Sequence, residues 1–204
     1  MRRTKADALL TREALLDAAE QVFGERGVSR TSLQDIARAA GLSRGAVYWH
    51  FEDKSALFNA MMARTTQPML DTLEAVQPEP TVTPLLGLRE STLQALHQLQ
   101  HDARTRRVFD IAIHKVEYVD DLLGARCRHL KDHRDCQQRI QALFERAQAL
   151  GQVPPQTPAA VLTAGYQALV GGLIQNWLLD ETLFDLETVA PQVIDAYLRG
   201  VAGH

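Results

Sequence analysis

The densest run of side chains able to do chemistry is Ser43-Arg44-Gly45-Ala46-Val47-Tyr48-Trp49-His50, followed closely by Lys54. Tyr48 and Trp49 are neighbours, so on a helix they cannot both point into one core. An exposed Trp beside Tyr, Arg and His calls for a partner that covers it. Phosphates and base edges suit such a surface. Arg44 can fork onto guanine or phosphate, Tyr48 and His50 can donate to phosphate oxygens, and Ala46 can touch a thymine methyl. Gly45 lets a backbone approach closely, and Lys54 can reach a phosphate.

Other chemistry-bearing residues are sparser. His129, His133 and Cys136 share a helix face at i, i+4 and i+7, a spacing that borderline metals accept. One helix seldom supplies three ligands, and a fourth is lacking. His97 and His101 form a similar i, i+4 pair. His114 and Glu117, at i, i+3 on an expected helix, read either as a polar brace or as an anchor for a ligand. Cys127 and Cys136 stand nine residues apart, ~13 Å along a helix, too far for a disulfide. There is no glycine-rich phosphate loop and no nucleophile elbow. The expectation is a chain that is not an enzyme, with no cofactor and no resident metal.

The elements that must hold these residues are helices. The chain has 204 residues, 46% of them hydrophobic and 23% charged. Ala, Leu, Gln, Arg and Glu dominate, and all are strong helix formers. An all-α fold of nine helices is expected. Taking Leu33 as position one, Ala37 is fifth, Gly41 ninth and Val47 fifteenth. A helix-turn-helix needs these types in this order: a small residue where two helices cross, a glycine at positive φ in the turn, and an apolar plug between the helices. Thr31 or Ser32 caps the first of these helices and Ser43 the second. A preceding helix starts near Thr11 and ends before Gly27. A longer one starts at Lys54-Ser55. Pro78, Pro80 and Pro84 mark a loop, the helix after it carries Leu85, Leu88, Leu93, Leu96 and Leu99, and Asp102 to Arg107 read as a polar corner. Helices then follow over 107–118, 121–150, 158–179 and 186–201, with Pro191 able to kink the last or shift its start. Net charge is −3. Residues 1–55 carry nine Lys/Arg against eight Asp/Glu, so any DNA contact comes from local shape and not from bulk charge. No apolar run nears the ~18 residues that span a bilayer, and the basic start Met1-Arg2-Arg3-Thr4-Lys5 lacks a signal peptide's apolar stretch. No membrane partner and a cytoplasmic location are expected.

Residues Thr31 to Ala37, then Gly41, Ser43 to Phe51 and Lys54, resemble the DNA-binding domain of the TetR family of repressors. The resemblance implies a three-helix head (1–53) and a helical ligand-binding and dimerising body (54–204). It places Thr31, Ser32, Ser43, Arg44, Gly45, Ala46, Tyr48, Trp49, His50 and Lys54 on the surface that meets double-stranded operator DNA. Asp102 to Arg107, His114 to Tyr118 and Gly172 to Leu179 are similar to multidrug-efflux repressors of the AcrR and TtgR type. That branch implies a repressor of an efflux-pump operon, released from a palindromic operator by drugs or aromatic compounds. Its pocket would be lined by Thr65, Leu88, Ser91, Thr92, Phe109, Ile113, Cys136, Ile140, Gln167, Val170 and Ile174, with His114 and Glu117 as polar anchors. Phe109 and Ile113 stand where a relative carries Asn and His, which implies a more apolar pocket. The alternative is a regulator of lipid or other metabolism with an endogenous ligand. The resemblance also implies a homodimer through the last two long helices. Gly165, Ala168, Gly171 and Gly172 leave room for close approach there. Trp177, Leu178, Ile194, Tyr197 and Leu198 would fill the facing surface, or else pack within the chain.

Overall fold

A computed structural model of the chain describes residues 5–74, 83–118 and 122–203. Nine α-helices lie among them: α1 Lys5–Arg26, α2 Leu33–Ala39, α3 Arg44–His50, α4 Lys54–Glu74, α5 Pro84–His101, α6 Ala103–His114, α7 Leu123–Ala149, α8 Ala159–Leu179 and α9 Leu186–Ala202. The all-α expectation holds for these residues. Pro78, Pro80, the basic Arg2 and Arg3, and Thr4 lie outside them. No helix among the described residues is long and apolar enough to cross a membrane.

Local chemistry sets most helix ends. Ser32 caps α2 in a reciprocal box: its hydroxyl accepts from the Asp35 N–H, while the Asp35 carboxylate accepts from the Ser32 N–H at 3.1 Å. After α2 the Leu42 N–H reaches back to Ala37 O (2.8 Å) and the Gly41 N–H to Arg38 O (3.1 Å). This paired closure needs a left-handed residue, and Gly41 supplies it at φ 66°. Gly151 ends α7 the same way. Ser43 caps α3 through the Ala46 N–H. The Asp53 carboxylate takes the Ala56 N–H at the start of α4. Thr83 caps α5, with Pro84 in the first turn where no N–H is needed.

Three expected boundaries are corrected. The first helix starts at Lys5, and Thr11 lies inside it, donating its hydroxyl to Asp7 O four residues back. The corner between α5 and α6 is Asp102 alone, since Ala103 to Arg107 already belong to α6. Thr105 on that turn is buried, and Arg104 pairs with Asp17 (2.8 Å), so the polar stretch is a helix start held by α1. Finally, α6 ends at His114, which leaves Glu117 beyond the helix.

The chain forms two compact units, Met1–Thr66 with Arg104–Lys131, and Gln67–Ala103 with Asp132–His204. In the first, Leu15, Leu16, Ala19 and Phe23 of α1 pack with Leu33, Ile36 and Ala37 of α2, Val47 of α3, and Leu57, Phe58 and Met61 of α4. Val108 and Ile111 of α6 join this core. Glu20, 2% exposed, is paired with Arg64. Arg64 also holds Glu13 at 2.7 Å and Asp17 at 2.9 Å. Burial opposes its charge, but these carboxylates more than offset that and keep the guanidinium firmly protonated. Lys115 donates to Gly24 O at 2.7 Å and accepts the Val28 N–H at its own carbonyl, fixing the end of α6 to the end of α1.

In the second unit α5 and α8 both pack on α9. Tyr166 of α8 is buried at its centre, between Phe144 of α7 and Tyr197 of α9. Its hydroxyl donates to Thr92 Oγ1 of α5 at 2.8 Å. Burial pushes the Tyr166 phenol up to about 12, with the Thr92 bond pulling weakly the other way. A methyl group at Gly165 would stand 2.6 Å from the Tyr197 hydroxyl, so glycine is what lets that ring lie against α8. Arg89 and Asp195 form a two-pronged pair (2.5 and 3.2 Å) between α5 and α9. Trp177, Ile194 and Leu198 are buried within the chain and so are not free to face a partner.

Candidate functional site

The third helix of the head, α3, is held from below and bare above. Val47 is fully buried, and Ala46 and Phe51 nearly so, all facing the core. The opposite side presents Arg44, Tyr48 and Trp49, the last 71% exposed. The Arg44 guanidinium lies over the Tyr48 ring, 5.5 Å from its centre, and Trp49 meets His50 edge-on at 4.4 Å. These contacts organise flat, polar-tipped groups on one face without burying them. Gly45 is exposed, and a methyl group added there would meet nothing closer than Ser43 Oγ at 3.9 Å. The fold itself therefore does not demand glycine at this position.

Several expected DNA-facing residues turn inward. Ala46 is buried, so its methyl serves packing and offers little to a base. Thr31 is 2% exposed and donates its hydroxyl to Gly27 O at 2.8 Å. Ser32 and Ser43 stay exposed, with their hydroxyls also accepting the cap bonds of α2 and α3. Lys54 is 7% exposed, with its ammonium donating to Ser29 O at 3.3 Å. It braces the loop before α2. In exchange, the structure adds residues that the sequence reading missed. Leu9 and Leu10 are exposed on α1, and Lys5, Leu9 and Arg12 wall a shallow apolar groove with Trp49 and His50. The missing signal was the start of α1: with the helix placed at Thr11, Lys5, Leu9 and Leu10 fell outside it.

The thirteen expected ligand positions divide between the two units. In the first, Thr65 is buried with no hydrogen-bond partner for its hydroxyl among the described residues. Phe109 is half-buried and Ile113 exposed. His114 pairs with Asp110 at 3.0 Å. Glu117 is exposed past the end of α6, so the expected His114–Glu117 helix pair does not form. In the second unit, Leu88, Ser91 and Ile140 are buried, and Gln167, Val170 and Ile174 are half-buried. The Thr92 hydroxyl accepts from Tyr166 and donates to Leu88 O. Both roles are structural. Burial pushes the Cys136 thiol up, with Arg139 opposing, so it is a poor nucleophile. Both cysteines are free.

His129 lies stacked on Tyr118, 5.8 Å between ring centres. Among the described residues, His129, His133 and Cys136 do not assemble as a ligand set. The groups that do converge are His97, His101 and Glu187.

A capped helix, a glycine turn, a buried plug at Val47 and a bare second helix define a helix-turn-helix regulator. Comparison with known proteins agrees. Residues 15–61 match the family described as "Bacterial regulatory proteins, tetR family", and residues 83–202 match "MAATS-type transcriptional repressor, C-terminal region". The chain belongs to the TetR family, with the body of a MAATS-type transcriptional repressor. It is 39% identical to the HTH-type transcriptional regulator TtgR of Pseudomonas putida, over 91% of this chain and 89% of that protein. Its fold is similar to that of NalD, the secondary repressor of the MexAB-OprM multidrug efflux pump in Pseudomonas aeruginosa. The TM-score is 0.88 at 35% identity, covering 97% of this chain and 98% of that one. It is also similar to SmeT bound to triclosan, with TM-score 0.85 and 30% identity over 94% of this chain and 91% of that one. SmeT is the repressor of the Stenotrophomonas maltophilia multidrug efflux pump SmeDEF.

Proposed function

We propose that this chain is a ligand-responsive repressor of a multidrug efflux operon. It acts in the cytoplasm as a homodimer, with the head over 1–53 and the ligand-binding body over 54–204. The observation that carries the reading is the bare face of α3. Arg44, Tyr48 and Trp49 are ordered and exposed, on a chain related along nearly its whole length to TtgR, NalD and SmeT. A dimer places two such helices in successive major grooves of a palindromic operator, about 34–36 Å apart. Arg44 and Tyr48 reach phosphates and base edges, and Gly45 leaves room for the duplex.

Drugs and aromatic compounds bind in the body, against residues such as Ile140, Val170 and Ile174. A ligand acts by preferring the conformation whose two heads fit the operator poorly. It shifts the balance only by that difference in affinity. The exposed small residues Ala164, Ala168 and Gly171 of α8, with Val161 and Leu179 at its ends, fit a helix-to-helix contact with a second copy.

The test is binding of the purified protein to the DNA upstream of its own gene at fixed salt, with and without antibiotics, dyes, plant phenols and triclosan. Tight, specific binding released by several unrelated compounds is the expected result. Binding that none of them releases would overturn the drug-responsive part and leave an endogenous ligand. Absence of specific binding would overturn the repressor reading itself.

A further inference from the structure

The second unit holds a cluster outside both the reading surface and the expected ligand positions. His97 and His101 lie one turn apart on α5, their ring centres 4.4 Å from each other. Glu187, second residue of α9, comes between them. Its Oε1 lies 2.6 Å from His97 Nδ1 and 2.8 Å from His101 Nε2. All three ligand atoms fall within 4.8 Å of one another. The backbone makes this convergence: an i, i+4 pair shares one helix face. Asp185 caps α9 and also accepts from Gln100 of α5, which holds the first turn of α9 beside the histidines.

We infer that His97, His101 and Glu187 form a binding site for a divalent transition metal ion, zinc or a near neighbour. Two imidazoles and a carboxylate are donors for Zn²⁺, Ni²⁺, Co²⁺ or Cu²⁺, and poor ones for Ca²⁺ or Mg²⁺, which want mostly oxygen. With bonds of about 2.0–2.1 Å, a tetrahedral ion sets neighbouring donors about 3.3 Å apart. Both histidines already stand at hydrogen-bond distance from the Glu187 carboxylate, so those two separations need open by only about 0.5–0.7 Å, while the two imidazole nitrogens lie within 4.8 Å of each other. Side-chain exposures of 64%, 51% and 47% leave the groups free to make that move. One flank of the cluster is a cavity of about 320 Å³ walled by Leu93, Leu96, Leu186, Ala190 and Pro191. The other flank is open to water, which completes the coordination.

The ion would tie α5 to α9 about two turns from the Arg89–Asp195 pair, giving these helices a second clamp. A site of this kind makes the stability of the body depend on metal supply. The inference stands apart from the DNA-binding reading, and either can fail without the other.

The experiment is calorimetric titration of Zn²⁺ into tag-free, chelator-stripped full-length protein, followed by thermal melting. One ion per chain and a rise in melting temperature that chelator reverses are expected. His97→Ala with His101→Ala should abolish both effects. Glu187→Gln should weaken binding at least the ~10–100-fold that even outer-shell partners command. His129→Ala with His133→Ala should leave both unchanged. Circular dichroism without metal checks that each variant is folded, as expected for exposed positions. No uptake by the wild type overturns the site, as does uptake that survives the His97, His101 double substitution or an affinity unchanged by Glu187→Gln.

Discussion

At the scale of single residues, the same stretch of chain holds two kinds of polar side chain. Thr31 and Lys54 are turned in, where each satisfies a backbone carbonyl. Arg44 and Tyr48 are turned out and meet mainly each other. Arg44→Ala or Tyr48→Ala should therefore cut operator affinity by tenfold or more, since a good base or phosphate contact is worth about 1–3 kcal/mol. Circular dichroism and melting temperature should stay at wild-type values. Operator affinity equal to wild type in both variants would remove α3 from the reading role. The types that could meet DNA were legible from the residues. Which of them actually face outward was not: a Lys four residues past a helix looks the same in sequence whether its ammonium meets a phosphate or the Ser29 carbonyl.

Helices show where local signals suffice. Ser32, Gly41 and Ser43 act on atoms within five residues of themselves, and each was readable. Ser32→Ala removes the acceptor for the Asp35 N–H and the hydroxyl that donates to that carboxylate, while the backbone Ser32 N–H bond to Asp35 stays. It should cost about 1 kcal/mol in urea unfolding. A change below the error of that measurement would mean that solvent replaces the cap at no loss. The start of α1 was not readable, because Leu9 and Leu10 are exposed and make no apolar stripe with the core residues that begin at Leu15. The start of α6 was hidden for a related reason. Its polar first turn is helical because Arg104 pairs with Asp17 and Glu20 of α1, nearly ninety residues away in the chain.

For the whole molecule, Tyr166 links three helices to α8 through Thr92, Phe144 and Tyr197. Its phenol titrates at about 12 when folded and near 10 when exposed. Below 10 both states keep the proton and the contribution to stability is complete. As pH rises from 10 towards 12 the unfolded chain loses its proton first, and up to roughly 3 kcal/mol is lost. Urea unfolding from pH 8 to 12 should show that fall, and Tyr166→Phe should flatten it. Some slope should remain, because burial also raises Tyr118 and Tyr197. A fall of the same size in Tyr166→Phe would place the alkaline sensitivity elsewhere. The amino-acid sequence by itself determined the helical class, the helix-turn-helix and its caps, because these rest on side-chain periodicity and on bonds a few residues long. Tertiary structure alone decided that Trp177, Ile194 and Leu198 belong to the interior and that Lys54 braces a loop. It alone decided that Glu187 completes a pair of histidines some ninety residues away. Those outcomes depend on which helix lies against which, and no local spacing encodes that.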